Sequence, residues 1–161
     1  IIFLDFDGVI THDYSPKELF TWPDGLTGYV CGIDPNSVKL VEEIRAFADA
    51  DIVITSDWRK HHHLRELRQR LSIYIDPNRV LFFTEVLPWP NKRGHEIQLV
   101  LDNLAPNKYI ILDDMSEKDF LEHQRPFLVR TQDDLGIMEK DVIKAKELFK
   151  SEKETDNTRK D

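Results

Sequence analysis

The chain has 161 residues, which is enough for one domain with its own hydrophobic core. Its formal net charge of −8 argues against a broad surface for duplex nucleic acid, although a local basic pocket is compatible with it. The single cysteine, Cys31, cannot form an internal disulfide, so we expect a reducing, cytoplasmic environment and assign Cys31 no role. We expect no membrane span, because no apolar run is long enough for one.

The first ten residues predict a buried strand that ends in two acids. Apolar residues 1–4 are followed by Asp5, Asp7 and Gly8. Side chains two positions apart on a strand point to the same side, and burying two unpaired carboxylates there is costly. A hard cation held between the oxygens would offset that cost, and Gly8 would let the backbone turn sharply. For this motif alone, an ordinary strand end with solvent-exposed acids is the alternative.

Residues 11–35 separate this strand from the rest of the predicted core. They contain proline, glycine and aromatic residues and show only weak periodicity. We predict a flap or small cap over Asp5 and Asp7, and the alternative is a surface hairpin without a functional role.

Strands and helices alternate through the remainder of the chain. Apolar runs predict strands at 51–56, 80–84, 109–114 and 126–130. Helical spacing predicts helices from Pro35, around Leu64–Leu71, from Arg93, and from Met138 to Phe149. This alternation predicts an α/β fold of three layers (α/β/α, Rossmann-like) around a mainly parallel five-stranded sheet. We predict one domain over residues 1–150 and a disordered polar tail over residues 151–161.

Reactive side chains follow the predicted strands where each strand ends. They are Asp5, Asp7, Ser56, Asp113 and Asp114. In open α/β sheets, ligands bind beyond the carboxyl ends of the strands. Aspartates gathered without histidine or cysteine ligands select a hard ion, which predicts Mg²⁺ as the cofactor. Magnesium held by few carboxylates usually serves a phosphate substrate.

The same residues permit phosphoryl transfer through a covalent intermediate. One carboxylate can act as a nucleophile, and another two positions on can protonate the leaving group and then deprotonate water. The transferring group also needs hydrogen-bond donors and cations around its equatorial oxygens. The candidates for that role are Ser56, Arg59, Lys92 and Arg93.

Four short segments resemble, in order, the motifs of the haloacid dehalogenase (HAD) superfamily. They are Asp5-Phe6-Asp7-Gly8-Val9, Ser56, Lys92-Arg93 and Asp113-Asp114. The resemblance implies that Asp5 is the nucleophile and Asp7 the general acid and base. It also implies that Mg²⁺ is bound by the Asp5 side chain, the Asp113 side chain and the backbone carbonyl of Asp7. Ser56 would bind the phosphoryl group, and Asp114 would orient the basic residue or a water on the metal. Motif III of the superfamily is usually a lysine, and both Lys92 and Arg93 are candidates for it.

Three strings are similar to narrower groups within that superfamily. They are Ser56-Asp57-Trp58-Arg59, Arg93-Gly94-His95-Glu96-Ile97 and Ile111-Leu112-Asp113-Asp114. They look like the HAD domains of Swiss Army Knife RNA repair proteins and the 3′-phosphatase half of phage-type polynucleotide kinase-phosphatases. Arg59 departs from the spacing of the latter by one residue, so a contact between Arg59 and the substrate is an extrapolation.

The resemblance implies a Mg²⁺-dependent phosphatase that acts on a phosphomonoester. The substrate would be a phosphorylated small molecule, a nucleotide or a nucleic-acid 3′-end. One alternative is a catalytically silent module that binds phosphate or nucleic acid in a repair assembly. Another is a phosphotransferase, because the same covalent intermediate serves hydrolysis and transfer.

Other conspicuous residues have simpler interpretations. Adjacent residues on a helix cannot converge on one ion, so we predict that His61-His62-His63 are solvated helix surface. We expect the same of Arg65, Arg68 and Arg70. For Trp22, Trp58 and Trp89 we favour ordinary packing over stacking on a nucleobase, which is the alternative.

Overall fold

The computed structural model describes residues 1–151. All of the predicted polar tail except Ser151 therefore lies outside the described residues. The strands are β1 (Ile2–Leu4), β2 (Lys17–Thr21), β3 (Thr27–Cys31), β4 (Ile52–Ile54), β5 (Val80–Phe83), β6 (Ile110–Asp113) and β7 (Leu128–Arg130). The α-helices are α1 (Pro35–Ala48), α2 (Leu64–Leu71), α3 (Arg93–Leu104) and α4 (Glu139–Lys150). None of these helices is long and apolar enough to span a bilayer.

Five strands form one parallel sheet, as the sequence predicts, and their order is β5-β4-β1-β6-β7. The chain adds β4 and β5 on one side of β1 and then returns to add β6 and β7 on the other side. The direction of winding therefore reverses between β1 and β6, which makes that junction the topological switch point. In register, Leu4 of β1 lies beside Leu112 of β6, so Asp5 and Asp113 follow at the same level.

The sheet is the middle of three layers. Alternate residues of β1 point to opposite faces: Ile2 and Leu4 pack with α1, α2 and α4, whereas Phe3 packs with α3. The three residues of β1 are fully buried. Apolar burial on both faces explains why the strand reads as a continuous hydrophobic run, and it fixes the strand end that carries Asp5.

Strands β2 and β3 form a separate antiparallel hairpin within the predicted flap. Successive residues alternate in exposure, so that Phe20 is half-buried while its neighbour Leu19 and the cross-strand partner Tyr29 are exposed. The inner face of the hairpin and the segment 57–62 line a common cavity that reaches Asp7. The weak periodicity of residues 11–35 did not reveal these strands, because each has only five residues and mixes polar and apolar side chains.

Three local predictions need correction. The strand predicted from Pro126 begins at Leu128, because Pro126 lies inside a short 3₁₀ helix, Glu122–Phe127. The strand predicted to reach Ser56 ends at Ile54, and Ser56 caps a 3₁₀ turn at Asp57–Lys60. The three consecutive histidines lie between that turn and α2 rather than within a helix.

The basic residues of α2 also differ from the prediction of a solvated face. Arg68 donates to the backbone carbonyls of Val80 and Leu81, and Arg70 pairs with Glu18 of the hairpin. Arg65 is exposed, as predicted.

Candidate active site

The centre of the site consists of three carboxylates at the switch point, Asp5, Asp113 and Asp114, which we call the carboxylate centre. Each offers an oxygen, and these oxygens lie within 4.8 Å of one another. Asp5 and Asp113 are buried, and Asp114 is partly buried. An all-oxygen set of closely spaced acids is the donor chemistry that Mg²⁺ prefers. The residues present therefore fit the predicted metal.

Backbone hydrogen bonds hold these carboxylates in fixed orientations. Asp5 Oδ1 accepts from the Phe6 N–H at 2.8 Å, which leaves Oδ2 facing Arg93 Nη1 at 3.4 Å. Asp113 Oδ1 accepts from the Met115 N–H at 2.9 Å. In Asp5 and Asp113, one oxygen thus accepts from a backbone N–H, and the other faces Arg93.

Gly8 allows the third acid to approach. Its φ is +71°, in the left-handed region, and a Cβ at this position would lie 2.4 Å from Asp114 Oδ2. The Gly8 carbonyl accepts from the Thr131 hydroxyl at 2.6 Å, which anchors the turn after β1 to the end of β7. The glycine of the first motif is required here by both backbone conformation and space.

Arg93 and Lys92, the two candidates for the motif III cation, point to different places. Arg93 Nη1 donates to Asp113 Oδ2 at 2.7 Å and to the Thr55 hydroxyl at 3.2 Å. Lys92 is exposed and donates to the Lys118 carbonyl at 2.6 Å. The cation at the carboxylate centre is therefore the guanidinium at the first position of α3.

Arg59 is not at the rim of the site. Its side chain is 2% exposed and forms an ion pair with Glu96 Oε2 at 2.7 Å, while it also donates to the Thr55 carbonyl. Glu96 in turn lies 3.9 Å from Arg93 Nε and accepts from the Leu87 N–H at 3.1 Å. Burial against Glu96 leaves the predicted contact between Arg59 and the substrate without structural support.

Ser56 is fully buried beside Asp5. Its hydroxyl accepts from the Trp58 N–H at 3.3 Å, as the cap of the 3₁₀ turn that follows β4. The neighbouring Ser56 hydroxyl acts to lower the pKa of Asp5, against the larger effect of burial. Its position at the end of β4, next to the nucleophile candidate, is compatible with the predicted phosphoryl contact.

Asp7 lies outside the carboxylate centre and is exposed. Its Oδ1 accepts from the Thr11 hydroxyl at 2.8 Å and from the Trp58 indole N–H at 3.1 Å. Within residues 1–151, no hydrogen bond is formed to Oδ2. Two donors thus orient the carboxyl group through Oδ1.

Burial dominates the electrostatics of the centre. It raises the pKa of Asp5, against the effects of the Arg93 cation and the Phe6 N–H. Burial, with the charge of Asp5, raises the pKa of Asp113 to about 7, and burial also raises the pKa of Asp114. Burial would lower the pKa of Arg93, but Asp5 and Asp113 outweigh it and raise the pKa. The single positive charge of the guanidinium does not balance the negative charge of three ionised acids. A divalent cation bound beside it would complete the balance.

Sequence reasoning missed two side chains that shape the site. Glu96 lies in one of the motif strings and was given no role of its own. Its position three residues after Arg93 on a helix indicates that the two side chains can meet. Trp58 was assigned to ordinary packing, and nothing in the sequence indicates that its indole N–H binds a carboxylate 51 residues away.

Three features together define a HAD-type domain. They are a parallel sheet with acids at its switch point, a buried serine after the adjacent strand β4, and a cation at the start of α3. A family model described as the HAD domain in Swiss Army Knife RNA repair proteins matches residues 1–142. The chain belongs to this family, and the predicted resemblance is confirmed. Comparisons with curated proteins and with solved structures gave no match.

Proposed function

We propose that this chain is a Mg²⁺-dependent phosphatase that hydrolyses a phosphomonoester through an aspartyl phosphate on Asp5. The observation that carries the proposal is the carboxylate centre with Arg93 against Asp5 and Asp113. A second acid, Asp7, stands apart from the centre with one oxygen directed away from its hydrogen-bond donors. This separates the nucleophile from the proton carrier.

In the first step, Asp5 Oδ2 attacks phosphorus. The new P–O bond forms as the bond to the leaving oxygen breaks, and protonated Asp7 gives that oxygen its proton. The Phe6 N–H holds Asp5 Oδ1 and so presents Oδ2 to the substrate. Arg93 and the Ser56 hydroxyl would stabilise charge on the equatorial oxygens.

In the second step, water attacks the phosphorus of the aspartyl phosphate. Asp7, now ionised, removes a proton from that water, and the P–O bond to Asp5 breaks to release inorganic phosphate. The carboxylate of Asp5 and the proton of Asp7 are both restored. When bound by the oxygens of Asp5, Asp113 and Asp114, Mg²⁺ would supply positive charge beside the transferring group.

The substrate is proposed on family membership rather than on the centre itself. A domain of RNA repair proteins is expected to act on a nucleic-acid 3′-end or a nucleotide, and we expect it to do so in the cytoplasm. The net charge of −8 disfavours binding along the backbone of a long duplex. A substrate that is bound only at its terminus fits this charge better.

The proposal is tested by phosphate release from glycerol phosphate with and without Mg²⁺. We expect metal-dependent activity that Asp5→Asn abolishes, while Asp102→Asn, at an exposed acid on α3, retains it. Activity that survives Asp5→Asn would exclude a covalent intermediate on this residue. A protein that binds Mg²⁺ with beryllium fluoride but releases no phosphate from any ester would instead be the silent binding module.

A further inference from the structure

A cleft begins at Asp7 and runs between the hairpin and the segment 57–62. Its volume is about 400 Å³, within the usual range of about 300–1,000 Å³ for small-molecule sites. Its walls include the imidazole of His61 and four rings that contact one another, which belong to Phe20, Trp22, Trp58 and His62. We call this cavity the aromatic cleft.

The four rings form one continuous row across the cleft. Trp22 and Phe20 meet edge to face at 5.4 Å between centroids, and Phe20 lies 5.9 Å from His62. His62 stacks on Trp58 at 5.0 Å with 25° between the ring planes. The row therefore connects the hairpin to the one indole that donates to Asp7.

The charged groups of the cleft are largely neutralised by their own partners. Lys60 pairs with Asp57 at 2.9 Å, and Glu18 pairs with Arg70 at 2.6 Å. The cleft therefore carries no concentration of cations that would hold a phosphate, whereas Arg93 supplies that charge at the carboxylate centre. The features left to recognise a ligand are the rings.

The position of Asp7 indicates which part of the substrate enters the aromatic cleft. In the proposed mechanism, Asp7 protonates the leaving oxygen, so the leaving group must lie on the side of Asp7 that faces away from Asp5 and Arg93. Asp7 lines the aromatic cleft, whereas Asp5 and Arg93 do not, so the aromatic cleft is the cavity available to the leaving group. Aromatic side chains can stack on any of the nucleobases, because every base has a π face.

We infer that the aromatic cleft binds the nucleoside part of the leaving group, with its base against Phe20 and Trp22. This inference rests on the proposed function, and it assigns to the hairpin the selection of the leaving group. The nucleoside can belong to a free nucleotide or to the 3′-end of an RNA strand, since both present the same base and sugar.

Phe20→Ala and Leu19→Ala are matched substitutions on opposite faces of the hairpin. Leu19 is 66% exposed and lies outside the aromatic cleft. The measured quantity is the ratio of kcat/KM for adenosine 3′-phosphate to kcat/KM for glycerol phosphate. We expect Phe20→Ala to lower this ratio about fivefold or more, and Leu19→Ala to leave it within about twofold. A 3′-phosphorylated oligoribonucleotide replaces adenosine 3′-phosphate in a second arm, which identifies the preferred source of the nucleoside.

Binding of adenosine itself separates this inference from the proposed function. We expect adenosine to quench tryptophan fluorescence of the wild type and of Leu19→Ala, and to bind Phe20→Ala several-fold more weakly. If no ester is hydrolysed but this pattern holds, the phosphatase proposal fails and the cleft assignment stands. If glycerol phosphate is hydrolysed while adenosine does not bind and Phe20→Ala leaves the ratio unchanged, the cleft assignment is overturned and the phosphatase proposal stands.

Discussion

The carboxylate centre and the β2–β3 hairpin meet at Asp7, but different forces hold them in place. Asp5 and Asp113 extend from strands that are buried on both faces, and the backbone of neighbouring strands fixes their level. The hairpin is a separate two-stranded sheet, joined to α2 by the ion pair between Glu18 and Arg70 and to the segment 57–62 by the contact between Phe20 and His62. We therefore expect displacement of the hairpin to cost less free energy than displacement of the carboxylate centre.

This difference matches the two tasks that we assign to the regions. Phosphoryl transfer needs charges held within a narrow geometry, which a packed core provides. Selection of a leaving group tolerates variation, which a hairpin with short strands and exposed residues permits. Substitutions at the centre should therefore change the rate of reaction, and substitutions in the hairpin should change the choice of substrate.

After Asp5→Asn, which should abolish activity, Asp7→Asn should have the largest effect. Removal of a general acid and base lowers the rate by about 10²–10⁴-fold. Metal affinity should change little, because the Asp7 side chain lies outside the carboxylate centre. Phosphate release and Mg²⁺ titration by calorimetry measure the two quantities, with the exposed Asp102→Asn as the control. A large loss of Mg²⁺ affinity would place the Asp7 carboxylate among the metal ligands instead.

Arg93→Ala should lower kcat/KM by about 10²–10³-fold, the usual effect of removing one donor to a developing anion. Lys92→Ala is the matched control at the adjacent position, and we expect less than a twofold change because the Lys92 side chain donates to the Lys118 carbonyl rather than to the carboxylate centre. Steady-state kinetics with Mg²⁺ tests both. Equal losses in the two variants would contradict the assignment of the motif III cation to Arg93.

The sequence predicts that Asp5, Asp113 and Asp114 meet at one edge of the sheet. It also predicts a cation between the Asp5 and Asp7 carboxylates, but the Asp7 side chain lies outside the carboxylate centre. The choice between the two candidates for the motif III cation was not predictable. Apolar runs that end in acids locate strand ends, and the parallel topology brings strand ends to one edge. Adjacent residues at the start of a helix point about 100° apart, and only the packing of α3 decides which one faces the centre.

The hairpin and its cleft were less predictable for a related reason. Strands in a buried sheet need many apolar residues, whereas the hairpin needs only the inner half of two short strands. The weak pattern of residues 11–35 therefore predicts a flap or small cap, with a surface hairpin as the alternative, and does not locate the two strands. The contact between Trp58 and Asp7 depends on tertiary structure alone, and no local pattern encodes it.

Glu96→Gln should lower the free energy of unfolding of the protein, because Glu96 holds the arginine next to the carboxylate centre. Glu96 is a buried partner of both Arg59 and Arg93, and breaking a buried ion pair costs about 3–5 kcal/mol. For a chain of this size we expect the melting temperature to fall by roughly 10 °C. Glu117→Gln, at an exposed acid outside the ion pairs of the described residues, should change it by about 1 °C or less. Similar melting temperatures in both variants would show that Glu96 is dispensable for folding.

Acid pH should stabilise the metal-free protein. The pKa of Asp113 is raised to about 7 by burial and by Asp5, so the folded state keeps a proton that the unfolded state releases near pH 4. The free energy of unfolding should therefore rise by about 1 kcal/mol as the pH falls from about 8 to about 6. Melting temperatures should rise by roughly 2–4 °C over that interval, and Mg²⁺ should reverse the trend because it binds the ionised acid. A wild-type trend that Asp113→Asn leaves unaltered would assign the proton to another group.

Glu18→Gln should have the smallest effect on the whole molecule and a local effect on the hairpin. Half-exposed ion pairs contribute about 0–1 kcal/mol, so the melting temperature should change by no more than about 4 °C. Arg70, which would keep its ion pair with Glu66 at 3.4 Å, lies 5.6 Å from the Trp58 ring, so the change reaches the wall of the aromatic cleft. We expect amide hydrogen exchange in residues 17–31 to rise up to about fivefold, because local opening costs less when the ion pair is lost.

Glu43→Gln is the matched control for this last prediction. It removes an ion pair with Lys146 between α1 and α4, of the same kind but outside the aromatic cleft. Glu43→Gln should leave exchange in residues 17–31 and the ratio of nucleoside phosphate to glycerol phosphate turnover as in the wild type. If Glu18→Gln also left both unaltered, the Glu18–Arg70 pair would not hold the hairpin, and the difference in rigidity between the hairpin and the carboxylate centre would need another cause.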